Sequence, residues 1–230
     1  YRKNAQWDVF RNAVEANPTT PIRDLQNPTL YYNFKGQPAS YNPVEMLNLE
    51  KHTGTTKLLD WDGTVKLNLC PLLLKDSGKQ VLTTQLTFAD HQYDNYNQWF
   101  RPSTSTLAIN GGHSGEAKQD YSKSSLHSLE WITNYSNSFG DHNLKVMVGY
   151  SYQYDKYSGL NAENKDFPNN ALQDNNLGTG TYAKEEGEVG MGSYMNDAKL
   201  IAFFGRISYD WKGRYMLTAS LRHEGSSKFG

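Results

Sequence analysis

The stretch Phe203-Phe204-Gly205-Arg206-Ile207-Ser208-Tyr209-Asp210-Trp211-Lys212-Gly213-Arg214-Tyr215-Met216-Leu217-Thr218-Ala219-Ser220-Leu221-Arg222 decides the fold class. It consists of two alternating runs about a tight polar turn. Phe203, Ile207, Tyr209 and Trp211 fall on one side of the first run, with Arg206, Ser208 and Asp210 on the other. After Lys212-Gly213, Tyr215, Leu217, Ala219 and Leu221 share a face, opposite Arg214, Thr218, Ser220 and Arg222. Period-2 alternation on both sides of a short turn specifies a β-hairpin with one apolar and one polar face.

Two further hairpins precede it. In the first, Leu59, Trp61, Val65, Leu67 and Leu69 oppose Leu58, Asp60, Asp62, Lys66 and Asn68 over residues 55–69. A turn is expected at Lys75-Asp76-Ser77-Gly78, and a return strand over 79–94 sets Leu82, Leu86 and Phe88 against Thr83, Gln85 and Thr87. In the second, Leu129, Trp131 and Tyr135 alternate with Glu130 and Asn134 before a turn at Gly140-Asp141. Leu144, Val146, Val148, Tyr150, Tyr152 and Tyr154 then hold alternate positions, with Lys145, Met147, Gly149, Ser151, Gln153 and Asp155 between them. Residues 1–54 show no such pattern. Asn4 to Ala16 suits a short helix, and Pro18, Pro21, Pro28, Pro38 and Pro43 predict an extended, folded-over loop after it.

Composition narrows the class. The net charge of -1 gives no electrostatic case for nucleic acid or a polybasic membrane surface. A mean hydropathy of -0.75 beside 13% aromatic residues fits neither a disordered chain nor an ordinary aliphatic core. No run approaches the ~18 apolar residues of a transmembrane helix, which leaves a β-barrel open. Tyr1-Arg2-Lys3-Asn4 lacks the apolar core of a signal peptide. Cys70 is the single cysteine, so neither an internal disulfide nor a multi-cysteine metal site is expected.

The connections are unequal. Turns inside hairpins take a few residues, whereas residues 95–120 and 158–197 form long polar loops expected on the extracellular side. That asymmetry is the pattern of an outer-membrane barrel. Aromatic placement agrees with it: Tyr209 and Trp211 flank one turn, and Tyr150, Tyr152 and Tyr154 lie ~10 residues or more past another, where a tilted strand of ~9–11 residues would meet the far interface. These five are the expected interface girdle. The alternative is a secreted β-sandwich binding module for carbohydrate or another ligand, in which the tyrosines fill a core. Six strands are too few to close a wide barrel, and the sequence ends at Phe229-Gly230 straight after a strand, so a section of a larger wall is expected.

Several segments resemble the SusC/RagA-type TonB-linked outer-membrane transporters, in the expected order. They are Tyr41-Asn42-Pro43-Val44, Asp141-His142-Asn143-Leu144, Phe167-Pro168-Asn169-Asn170-Ala171-Leu172, and the block from Phe204-Gly205-Arg206 through Glu224-Gly225-Ser226-Ser227-Lys228 to Phe229-Gly230. The resemblance covers nearly the whole chain, and the last block is its specific part. It implies an all-β fold, antiparallel hairpins forming part of a 22-stranded transmembrane barrel in the outer membrane of a Bacteroidetes-like cell. It also implies import of glycans or peptides, with a SusD-like surface lipoprotein, the TonB complex and outer-membrane lipid as partners. The window corresponds to the first to middle part of the barrel, without plug or TonB-contacting segments. Cys70-Pro71-Leu72-Leu73-Leu74 matches no family feature.

No catalytic set, cofactor motif or metal spacing is read here, and an enzyme is not expected. His52, His91, His113, His127, His142 and His223 lack ligand spacing. Asp60 and Asp62 suit a wet lumen better than acid–base work, and Glu185-Glu186-Gly187-Glu188 suits a solvated loop. Gly178-Thr179-Gly180 lacks the strand-to-helix context of a phosphate loop. The candidate substrate-binding residues are Tyr93, Tyr96, Trp99 and Phe100 at a loop rim, interleaved with Asn95, Asn97 and Gln98. Rings stack and amides hydrogen-bond, which suits sugars or peptides, whereas packing against neighbouring loops is the plainer reading.

Overall fold

The computed structural model describes residues 7–34, 36, 41–74, 80–185 and 190–228. Its strands are β1 (Lys51–Asn68), β2 (Gln80–Arg101), β3 (Glu116–Phe139), β4 (His142–Lys165), β5 (Met191–Trp211) and β6 (Tyr215–Ser226), in one six-stranded sheet with the order β1-β2-β3-β4-β5-β6. Short helices α1 (Trp7–Glu15), α2 (Pro43–Leu49), α3 (Cys70–Leu73), α4 (Thr106–Asn110) and α5 (Tyr182–Glu185) occupy the connections. The chain divides into two compact units. One holds residues 58–93, 123–157 and 195–230, and the other holds 1–57, 94–122 and 158–194.

The first of these units contains the hairpin that opened the sequence reading. Trp211 pairs with Tyr215, Tyr209 with Leu217, Ile207 with Ala219 and Gly205 with Leu221, so apolar residues face apolar residues across the ladder. The interleaved pairs are Asp210 with Met216, Ser208 with Thr218, Arg206 with Ser220 and Phe204 with Arg222. Lys212 and Gly213 both take positive φ, the mirror-image turn whose twist matches that of the flanking strands, and Arg214 N–H donates to Trp211 C=O to close it.

Contacts carry the same two faces to the other strands of this unit. On the apolar face Tyr150 meets Phe203 with ring centroids 5.0 Å apart, and Trp61 meets Phe88 at 5.2 Å. Two threonines on that face satisfy each other, Thr84 and Thr133 lying 2.9 Å apart, and Trp131 Nε1–H donates to Thr84 at 2.8 Å. Each hydroxyl thereby gains a hydrogen-bond partner on a face otherwise built of apolar side chains. On the polar face Thr64 meets Thr87, His91 meets Asp60, and Asn143 Nδ2–H donates to Asp210. Phe204 lies on this polar side because its ring covers Gly149, where an added Cβ would enter the ring's van der Waals space.

The apolar row is uncovered. Leu221 is 78% exposed and Leu217 66%, and no second sheet packs on them among the described residues. A self-contained β-sandwich would bury this row, and nothing among the described residues does so.

Strand ends depart from the sequence expectation. β2 runs to Arg101 and β3 starts at Glu116, so the first long connection is 102–115 rather than 95–120. β4 runs to Lys165 and β5 starts at Met191, which leaves 166–190 rather than 158–197. Polar side chains near the strand tops masked the alternation there. β1 likewise begins at Lys51 instead of residue 55. The expected helix near the start is α1, with residues 1–6 outside the described residues. The expected loop before β1 contains α2, which starts at Pro43 and is capped by Asn42, whose side chain accepts from Val44 and Glu45 N–H. Cys70-Pro71-Leu72-Leu73 forms α3, while the expected turn at Lys75 to Gly78 lies outside the described residues, as do Glu186 to Glu188 and Phe229-Gly230.

Val148→Arg should therefore lower barrel stability by about 2–4 kcal/mol, and Gln153→Arg on the polar face should be nearly neutral. Urea unfolding of the parent protein in lipid vesicles measures both; equal costs would refute the facing assignment.

Candidate functional site

The second unit carries the charged groups. Alternation along β2 sends Asn95, Asn97, Trp99 and Arg101 to one face and Tyr96, Gln98 and Phe100 to the other. On the first face Glu50, just ahead of β1, is almost wholly buried. It accepts from Arg101 Nε–H at 2.8 Å and from Trp99 Nε1–H at 3.2 Å, and His52 Nε2 lies 3.0 Å away. Arg101 continues to Glu116 on β3 at 2.5 Å, and Glu116 to Lys165 on β4 at 3.6 Å. Lys165 reaches the Tyr182 ring and His113, and His113 lies 3.3 Å from Asp166. The result is one chain of paired charges across the tops of four strands and into the 166–190 connection.

Burial by itself pushes the Glu50 carboxyl up. The bond with His52, then the Arg101 charge and bonds from Arg101 and Trp99, outweigh it and hold the carboxyl below the usual glutamate range. A carboxylate held in this way stays ionised at neutral pH and fixes its partners.

The opposite face is built differently. Phe100, Ala117 and Phe167 form a small buried core with Leu177 against it. Asp174, fully buried, accepts from Lys51 Nζ at 3.4 Å and Gln98 Nε2–H at 2.5 Å, while Gln119 donates to its backbone carbonyl at 2.7 Å. Glu45 is also buried and accepts from the Thr106 backbone N–H and hydroxyl at the start of α4. Buried polar groups of this kind hold the connections in one shape because each is satisfied.

The four aromatic candidates are thus not a single patch. Trp99 joins the charged chain with Arg101 over its ring at 4.7 Å. Phe100 is 4% exposed and sits in the loop core, which removes its ring from solvent, and Tyr96 shares its face. Tyr93 is exposed and belongs to the other unit. All four lie on β2, not on a loop, a correction that follows from the longer strand. Of the girdle residues, Tyr209 and Trp211 stack with His142 beside the turn, Tyr150 packs on Phe203, and Tyr154 stacks on His127. Tyr152 is half-buried in mid-strand.

Glu50, Arg101, Glu116, Lys165 and Asp174 were not read as a set from the sequence. The charge pairs that join them run 15 to 123 residues along the chain, so no local spacing reveals them. Among the described residues no cluster of His, Cys, Asp or Glu could hold a metal ion.

Comparison with known proteins places this geometry. The chain is 36% identical over 232 residues, 98% of its length, to the TonB-dependent receptor P39 of Formosa agariphila, and 33% identical over 130 residues to the TonB-dependent receptor P3 of the same organism. It also superposes on the RagAB peptide transporter with a TM-score of 0.63 at 16% identity, covering 87% of this chain and 21% of that one. The RagAB peptide importer in its closed-closed state gives the same TM-score at 17% identity.

Over nearly its whole length the chain is similar to a TonB-dependent receptor, and it folds as a section of a β-barrel wall. No protein-family model matches it. The matched part amounts to 20% of P39 and 12% of P3, so the chain spans about a fifth or less of these relatives. The solved-structure likeness shows the barrel fold, and with it the antiparallel, membrane-barrel class expected from the hairpins.

In this barrel section the Glu50 contribution is present above the ordinary glutamate range. It is lost as pH falls through the lowered native value, because protonation then costs more in the folded state. Glu50→Gln should increase local opening of the strand tops by about 1–3 kcal/mol at neutral pH and flatten its acid dependence. Hydrogen exchange of Arg101 and its neighbours in the parent protein checks both.

Proposed function

We propose that this chain is part of the wall of a TonB-dependent importer in the outer membrane of a Bacteroidetes-like bacterium. The cargo class is glycan or peptide, a SusD-like surface lipoprotein covers the barrel, and the TonB complex supplies energy through other segments of the parent protein. The observation that carries the reading is the β5–β6 register: it lines up one exposed apolar row and one polar row, the arrangement a lipid-facing wall with a wet lumen requires. Near-complete coverage by a TonB-dependent receptor supports it, as does the likeness to a transporter whose name specifies peptides.

On this reading the apolar face meets lipid. Tyr209 and Trp211 mark one interface, Tyr150, Tyr152 and Tyr154 the other. The polar face lines the lumen, where hydroxyls and amides such as Thr64, Thr87, Asn143 and Ser208 outnumber apolar groups. Such a lining suits neutral, hydrogen-bonding cargo. The strand tops and the connections 102–115 and 166–190 form the extracellular rim, shaped by the Glu50–Arg101–Glu116–Lys165 chain. Trp99 stays as a rim ring available to cargo, and the packing of Phe100 makes it a support for the loop.

The parent polypeptide should fractionate with the outer membrane and migrate differently on an SDS gel before and after boiling. A soluble protein with no heat-dependent shift would overturn the reading.

A further inference from the structure

On the apolar face, polarity changes at a single row. Phe88, Leu129, Tyr152 and Ile201 are followed, two residues further from the turns, by Asp90, His127, Tyr154 and Lys199 on four adjacent strands. Contacts join the polar row end to end. Asp90 Oδ1 lies 3.2 Å from His127 Nδ1, the His127 and Tyr154 rings stack at 6.3 Å, and the Lys199 ammonium sits over the Tyr154 ring at 5.7 Å. At the other end of the same face, Phe139, His142, Tyr209, Trp211 and Tyr215 stack beside the turns. From Trp211 to Ile201 is ~10 residues, the length a tilted strand needs to cross the hydrocarbon layer. The polar row therefore falls where lipid headgroups begin.

Resting on the membrane-wall reading above, we propose that this row is a seat for the phosphate-bearing headgroup of an outer-leaflet lipid. Its chemistry points to an anion carrying hydroxyls. Lys199 is exposed, and Lys156 stands two residues beyond Tyr154 on the same face of β4. Two ammonium groups thus flank a phenol hydroxyl and an imidazole. Asp90, with its side chain 11% exposed, lies beside His127 and accepts from Gln92 Nε2–H through its other oxygen, so it is turned into the sheet rather than toward the lipid. Asp197 hydrogen-bonds the Tyr154 side chain, so with Asp90 the row sets two carboxylates beside its two ammonium groups, a mixed surface that suits a headgroup with both phosphate and hydroxyls better than a bare phosphate diester. The apolar band immediately below accepts the acyl chains, so headgroup and chains are held together and a free anion lacks half of the contact.

The test uses the full-length parent protein in phosphatidylcholine nanodiscs containing lipid A, with retained lipid read by native mass spectrometry. Wild type should retain lipid A in preference to its dephosphorylated form, and inorganic phosphate should not displace it. Lys199→Glu and Lys156→Glu should each reduce retention by roughly fivefold or more, as loss of one surface cation at an anionic headgroup implies. Lys145→Glu on the polar face should change nothing. Equal retention of the two lipids by wild type, equal retention by the lysine variants, or displacement by inorganic phosphate would each overturn the headgroup seat. The wild-type lipid comparison decides the matter even if a variant fails to fold. A wild type that keeps its heat-dependent gel shift but shows no lipid preference refutes the seat alone. One without shift or membrane location refutes the wall reading as well.

Discussion

Strand register is the constraint on which the rest of this structure depends. A one-residue slip between β5 and β6 would set Trp211, Tyr209 and Ile207 against polar partners and turn every apolar side chain of one strand to the wrong face. The left-handed pair Lys212-Gly213 fixes the turn, and the ladder from Trp211–Tyr215 to Leu200–Ser226 extends it. The apolar band, the polar lining and the row that ends the band are all same-parity positions on neighbouring strands. They exist only because the register is held.

The two units are stabilised by different physics. The one holding the hairpin turns has an apolar face that nothing among the described residues covers, the face that the proposed membrane setting would bury in lipid. The one holding the long connections has only a few buried apolar residues, and its largest fully buried side chains include Glu45, Asn12, Asn42 and Asp174. Each of these is hydrogen-bonded: Asn12 accepts from Tyr41 N–H, and Asn42 caps α2 while donating to the Ile22 and Tyr32 carbonyls. Such groups are costly when unpaired and specific when paired. Connections held by charge-assisted bonds keep a defined outline in water without a large greasy core.

Placing the polar chain on strand tops also accounts for the length of the strands. β3 and β4 each run 24 residues, far beyond the ~9–11 that cross a membrane. The surplus carries Glu116 and Lys165, whose charges are paired with each other, Glu116 also with Arg101. Trp99 gains its role from the same extension, since its indole meets Glu50 only because β2 continues to Arg101.

Alternation made the hairpins legible in the sequence, down to the two faces of β5 and β6 and the turn at Lys212-Gly213, because period-2 burial is a local property of an extended chain. It failed at the strand tops, where both faces are polar and no contrast remains to be read. It also missed α2, although Asn42-Pro43 is a capped helix start, because closely spaced prolines masked it. Rim residues were legible only as types: Trp99 and Phe100 are neighbours in sequence, yet one meets a buried carboxylate and the other a loop core. By itself the sequence determined an antiparallel, two-faced wall whose apolar side needs a lipid-like environment. Tertiary structure decided which charges meet, since Glu50 and Arg101, or Lys51 and Asp174, are joined by pairings between distant strands and loops that no local spacing encodes.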